Sequence, residues 1–215
     1  MNRRRSAVLI IATLAATLAH AVRAAAQDEF AVDATRLTKA LELTAGRSVG
    51  DIGAGAGQLS VALARVVGPT GRLYATELDS GRIRAIRRAA DAAGVKNVTV
   101  LEAHATRTNL PEHCCDALVL RNVYHHIKDP VLMNKSLYQS LKPGGRLAII
   151  DFAPDSAESA DPTRRSDGEQ HGVTPPTIVR ELRQAGFELV AVEDGIRRAG
   201  FMVVMRRPLS SPSSP

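Results

Sequence analysis

Apolar positions along the chain follow two periods. Short apolar runs of strand length are separated by stretches in which apolar residues recur every three or four positions, the spacing of one helix face. Thr35 to Ala45 has helical spacing at Leu37, Ala40, Leu41 and Thr44. Ser48 to Ile52 reads as a strand, and Gln58 to Val67 as a helix with Leu59, Ala62, Leu63 and Val66 on one face. Gly68-Pro69-Thr70-Gly71 is a turn by its residue types. A strand over Arg72 to Glu77, an arginine-decorated helix over Ser80 to Ala93, and strands over Val98 to Glu102 and Asp116 to Arg121 follow. Pro130 to Leu141 predicts a helix stopped by Lys142-Pro143-Gly144-Gly145, and Arg146 to Phe152 a fifth strand. Residues 153–172 are polar and read as a flexible excursion. Pro175 to Ala185 predicts a helix ended by Gly186, and Glu188 to Glu193 and Phe201 to Arg206 two last strands.

Strands alternating with helices of this length predict βαβ units, hence an α/β fold: a doubly wound, Rossmann-like parallel sheet with helices on both faces. The end of the chain departs from that rule. Only Asp194 to Gly200 joins the last two strands, whereas a parallel crossover needs about a dozen residues or more. The expectation is a seven-stranded sheet, mostly parallel, with an antiparallel last strand.

Composition changes the picture mainly at the amino terminus. The chain has 215 residues and a net charge of +6, with a pI near 9.8. Arg3, Arg4, Arg5 and Arg23 all fall in residues 1–26, which hold no acid; without them 24 basic residues face 22 acidic ones. A nucleic-acid partner is therefore not expected, and with no Trp, three Tyr and four Phe a base-stacking platform is excluded. Residues 1–26 read as a signal peptide or amino-terminal anchor. A basic start is followed by an uncharged run from Ala7 to Ala19 and by Ala24-Ala25-Ala26 before polar Gln27. The run is short for a spanning helix, which needs ~20 residues. Export to the periplasm or cell envelope is expected, with the cytoplasm as the alternative, and membrane contact only through an uncleaved leader. The domain then covers 27–207, and 208–215 is a Ser/Pro-rich tail expected to be disordered.

The two cysteines, Cys114 and Cys115, are adjacent. Neighbouring cysteines rarely bridge each other, so the pair reads as two small apolar residues entering a buried strand, with a vicinal disulfide or thiol chemistry as the other reading. No metal-ligand spacing is present and no metal is expected.

Candidate chemistry begins at Asp51-Ile-Gly53-Ala54-Gly55-Ala-Gly57, between the first strand and the next helix. Glycines let backbone turn tightly and approach a ligand, and the helix start offers free N–H groups. The dinucleotide fingerprint would require glycine where Gln58 stands, which argues against a nicotinamide-dependent oxidoreductase. Asp51 is expected to orient the loop by hydrogen bonds. Glu77, ending the second strand, suits the two hydroxyls of a ribose, with Asp79 as the alternative.

The glycine loop, Glu77, the strand running into Tyr124-His125-His126-Ile127, and Leu141-Lys-Pro-Gly-Gly145-Arg-Leu together resemble the class I S-adenosylmethionine-dependent methyltransferases. The small-molecule branch with the quinone and menaquinone C-methyltransferases is the nearest in detail. The resemblance spans 36–206 and implies a seven-stranded sheet with an antiparallel last strand. It implies S-adenosylmethionine held by Asp51, Gly53, Ala54 and Gly55 at the methionine and ribose, by Glu77 at the ribose hydroxyls, and by Leu78 beside the adenine. His104, followed by Ala105, stands where the family often has an aspartate for the adenine amino group, and Asn122 is placed near the methionine end. Arsenite methylation needs more thiolates than this chain offers. Base methylation would show Asp/Asn-Pro-Pro-aromatic, where this chain has Asn122-Val-Tyr124-His125.

The protein's task in methyl transfer is alignment, plus a base where the acceptor must lose a proton. Candidate catalytic residues are His126, His125, His171 and Tyr124, with 153–172 roofing the acceptor. The expectation is methyl transfer from S-adenosylmethionine to a small molecule, the alternative being a binding protein of the same fold that has lost turnover.

Overall fold

The computed structural model describes residues 29–196 and 200–209; the leader at 1–26 and most of the tail lie outside them. A helix, α1, covers residues 29–40. It is followed by β1 (Ser48–Ile52), α2 (Gln58–Val67), β2 (Arg72–Glu77), α3 (Ser80–Ala92), β3 (Val98–Glu102), β4 (Cys115–Arg121), α4 (Pro130–Ser140), β5 (Leu141–Phe152), α5 (Pro175–Gln184), β6 (Glu188–Ile196) and β7 (Gly200–Arg206). The seven strands lie in the order β3-β2-β1-β4-β5-β7-β6. All neighbours are parallel except β7, which runs antiparallel to both β5 and β6. The predicted architecture and hairpin are thus observed.

The period-two alternation of the central strands fills both faces. On β4, Ala117 and Val119 join Val49, Ala75 and Val204 in a core closed by Leu37, Leu63 and Ile86 from α1, α2 and α3 and by Leu41 just past α1. Leu118 and Leu120 point to the other face, where Leu147, Ile149 and Val203 meet Met133 and Leu137 of α4 and Ile178 and Leu182 of α5. β6 is the outer strand and is exposed along most of its length. Its pairing with β7 slips twice, between Leu189 and Ala191 and between Asp194 and Ile196, each an extra residue that bends an edge.

Three expectations are corrected. The spacing predicts the first helix over Thr35 to Ala45, but it lies over 29–40. Thr35 does not start it: its hydroxyl donates back to the Ala31 carbonyl at 2.9 Å, as Thr38 does to Ala34 at 2.7 Å, and Glu42 turns the chain out with φ 53°. The cysteines are bonded to each other rather than standing as two thiols. Cys114 precedes β4 and is not held in its ladder, which frees its side chain to turn toward Cys115. The excursion at 153–172, expected to be flexible, is pinned. Arg165 within it is 1% exposed and forks onto both Glu181 carboxylate oxygens on α5, at 2.7 and 3.2 Å, with Glu158 at 3.9 Å. Glu158 in turn accepts from the Thr174 amide and from the Thr174 and Thr177 hydroxyls at the start of α5.

Removing one partner of a buried ion pair strands the other, at a cost of ~3–5 kcal/mol. Arg165→Met is expected to lower the unfolding free energy by that order in urea titrations and to raise protease cleavage within 153–172. Arg165→Lys restores the charge but not the fork and should recover only part of the loss.

Candidate active site

In an open α/β sheet the crevice for a ligand lies beyond the strand carboxyl ends, where the strand order reverses. Here the reversal falls between β1 and β4, and the glycine loop leaves β1 at that point. Gly53 and Gly55 have φ of 71° and 59°, values that strain any residue with a Cβ. A Cβ on Gly53 would lie 2.6 Å from the Val123 side chain, whereas one on Gly55 would meet nothing within 4 Å. The loop is therefore packed on one side and open on the other.

Two buried carboxylates flank it, Asp51 at 2% and Glu77 at 6% exposed. Glu77, not Asp51 as expected, holds the loop. Its Oε2 accepts from the Gly55 amide at 2.9 Å and its Oε1 from the Leu78 amide at 2.8 Å, leaving each oxygen with a further lone pair. Asp51 instead accepts from the Ser60 hydroxyl of α2 at 2.5 Å, tying the strand to the helix. Burial raises the Asp51 carboxyl from 3.8 to about 6, against the Ser60 hydrogen bond and Arg121, with Glu77 adding to the rise. Asp79, the alternative to Glu77, caps α3 through the Arg82 amide at 2.8 Å and faces outward.

The other expected contacts line the same edge. The amides of Gly53 and Ala54 both donate to the Thr76 carbonyl, at 2.9 and 3.0 Å. Leu78 is 57% exposed just past β2, and exposed His104 and Ala105 lie just past β3, where the His104 backbone pairs with Arg107. Asn122, exposed and at φ 56°, leaves β4 with its amide bonded to the Ile150 carbonyl at 2.8 Å.

Beyond β4, three of the four expected catalytic residues come together. The rings of His125 and His126 stand 3.9 Å apart by their centroids, and His171, arriving from the excursion, is 4.7 Å from His125 and 5.9 Å from His126. Phe152 packs on His125 and His171 at 4.8 and 5.1 Å. His125 is buried, with Nδ1 2.7 Å from Asp151 Oδ1 and its amide donating to Asp151 Oδ2 at 3.2 Å. Desolvation, then the neighbouring His125 and His171, hold His126 below the ordinary imidazole range.

Tyr124 does not join them and is a correction. It is fully buried in the α4–α5 core, and its hydroxyl donates to Glu181 at 3.1 Å and accepts from Asn134 at 2.8 Å. Burial first, then Glu181, pushes its phenol well above the usual range. Asp151, Ser60 and Val123 were missed by sequence reasoning. Of these only Asp151 carried a signal, an acid closing the apolar run Leu147 to Ile150 at a strand's carboxyl end, as Asp51 and Glu77 do.

Residues 50–149 match the family described as a methyltransferase domain. A ubiquinone/menaquinone biosynthesis C-methyltransferase, UbiE, of Pseudomonas putida is 33% identical over 114 residues, which cover 51% of this chain and 43% of the relative. The chain thus matches less than half the length of such relatives. A solved S-adenosylmethionine-dependent methyltransferase from Aquifex aeolicus superposes with a TM-score of 0.70 at 25% identity, covering 81% of this chain and 89% of that one. A possible exported protein from Bordetella parapertussis shares the fold, with a TM-score of 0.64 at 20% identity over 85% and 67% of the two chains. Glycine loop, paired carboxylates, strand order and relatives agree: residues 50–149 carry a methyltransferase domain, in a chain that resembles the class I S-adenosylmethionine-dependent methyltransferases and, among them, the quinone C-methyltransferases.

Proposed function

We propose that the chain transfers the methyl group of S-adenosylmethionine to a small-molecule acceptor held between the glycine loop and the three histidines. The observation that carries this reading is the cradle itself: open space over Gly55 between two buried carboxylates. The residues fit this cofactor. A carboxylate that is costly to ionise in its burial, Asp51, suits a ligand bearing positive charge, and Glu77 keeps lone pairs for ribose hydroxyls. Leu78, His104, Ala105 and Asn122 complete the edge along which an adenosine and an amino acid would lie.

The cofactor supplies an electrophilic methyl on a sulfonium centre. The protein's part is to align the acceptor in line with it and, where the acceptor must lose a proton, to receive that proton. His126, whose imidazole is held below the ordinary range by desolvation and its histidine neighbours, is the base in this reading. His125 is held in one orientation by Asp151, and His171 and the pinned excursion roof the acceptor side. The named relatives act in quinone biosynthesis; here three histidines and Asp151, with Phe152 packed on two of the rings, support a more polar acceptor. The leader pattern at 1–26 supports a place in the cell envelope, and the Bordetella neighbour described as a possible exported protein is consistent with it.

Three measurements test the cofactor half. Gly55→Val places a side chain in the open cradle and should abolish S-adenosylhomocysteine binding in calorimetry; wild-type affinity would remove the loop from the site. Glu77→Ala should weaken binding by ~1–3 kcal/mol, whereas Asp79→Ala should cost ~1 kcal/mol of stability as a lost helix cap and leave affinity unchanged. The third is pH. The folded Asp51 carboxyl keeps its proton up to about 6, against 3.8 as the ordinary value. Its contribution to stability is therefore present at low pH and lost as pH rises through about 6, on the order of 3 kcal/mol. Asp51→Asn should stabilise the cofactor-free protein at pH 7–8 in thermal melts. Wild-type affinity for S-adenosylmethionine, which carries the sulfonium charge that S-adenosylhomocysteine lacks, should rise as pH passes through about 6 and the carboxylate forms, and a flat profile would detach Asp51 from the ligand's charge.

A further inference from the structure

We infer that His125, His126 and His171 form a binding site for a divalent first-row transition ion such as zinc. One ring nitrogen of each can be chosen so that all lie within 4.8 Å of one another. Two imidazole nitrogens on one zinc ion, each at ~2.0–2.1 Å, stand at most ~4.2 Å apart. The rings therefore need to close by well under the reach of a side-chain rotation. Two of them, His126 and His171, are exposed.

The surroundings are those of a metal ligand set. Nδ1 of His125 faces the buried Asp151 carboxylate at 2.7 Å, which leaves Nε2 as the ring nitrogen available to an ion. A carboxylate behind the ligating imidazole fixes its tautomer and raises its basicity. Asp151 is itself held, accepting from the His125 and Phe152 amides at 3.2 and 3.0 Å. The third ligand is fixed by the fold rather than by local sequence: the Gly172 amide, next to His171, donates to the carbonyl of buried Arg165 at 3.0 Å. Three neutral imidazoles select zinc, cobalt, nickel, copper or iron over magnesium and calcium, which prefer oxygen. One buried and two exposed ligands leave the remaining positions open to solvent, as in sites that bind a further molecule. Those positions suit an acceptor with an oxygen or sulfur donor, whose proton the bound ion would make easier to lose, so that with the ion in place His126 is a ligand and not the base; this last step rests on the methyl-transfer reading, whereas the ion site does not.

The test is titration of chelator-stripped, full-length protein with Co2+, read by its visible absorption. One equivalent is expected to bind and to be displaced by Zn2+ but not by Mg2+. The His126→Ala/His171→Ala double variant, changed only at exposed positions, should lose the band and keep S-adenosylhomocysteine binding. Asp151→Asn should weaken Co2+ binding on the order of 10–100-fold, and His113→Ala, an exposed histidine elsewhere, should bind as the wild type does. No band in the wild type, or a band that survives in the double variant, overturns the site. Wild-type protein that binds Co2+ but not S-adenosylhomocysteine overturns the methyl-transfer reading and leaves the ion site standing.

Discussion

The rest of the molecule depends on one topological constraint, the reversal of strand order between β1 and β4. A parallel sheet presents all its carboxyl ends at one edge, but neighbouring crossovers normally cover the gaps between them. Where the winding changes direction, the connections leave β1 and β4 toward opposite faces and the gap stays open. The glycine loop goes one way to α2, and the segment with His125 and His126 goes the other, toward α4. The glycine loop and the histidine cluster are thus two exits from one crevice.

That crevice is lined by carboxylates that burial makes expensive, and each is answered differently. Glu77 is satisfied by two backbone amides. Asp151 has an imidazole and two amides. Asp51 has a single hydroxyl as its short partner, and it is the carboxylate whose proton affinity is raised. The least-compensated acid stands where a cationic ligand would be most strongly felt.

Much of this architecture is legible in the amino-acid sequence. Period-two runs and glycine punctuation place the strands to within a few residues, and the shortness of Asp194 to Gly200 foretells the antiparallel hairpin. The residues of the glycine-loop edge are readable because they sit at strand ends, where position in sequence nearly determines position in space. The histidine cluster is less so. His125 and Asp151 are 26 residues apart and His171 follows only after the excursion, so no ligand spacing appears in the sequence. Tyr124 misleads because it adjoins two histidines in sequence, while the short 3-10 turn over Tyr124–His126 sends its ring to the opposite side. Arg165 looks like one more solvent-facing charge, because burial of an arginine depends on a partner, Glu181, that only folding brings near.

The outer strand β6 has a consequence for the protein's solution behaviour. An unpaired strand edge is a template on which another chain can add a strand, and Leu189, Val190 and Val192 would reward such an addition with apolar contact. The two slips in β6 break the edge that no described strand covers into short, differently aimed stretches, and Glu188, Glu193 and Asp194 put carboxylates along it. A straight incoming strand could bond only a few residues before losing register. The same irregularities that look like flaws in the β6–β7 ladder therefore act as guards against polymerisation.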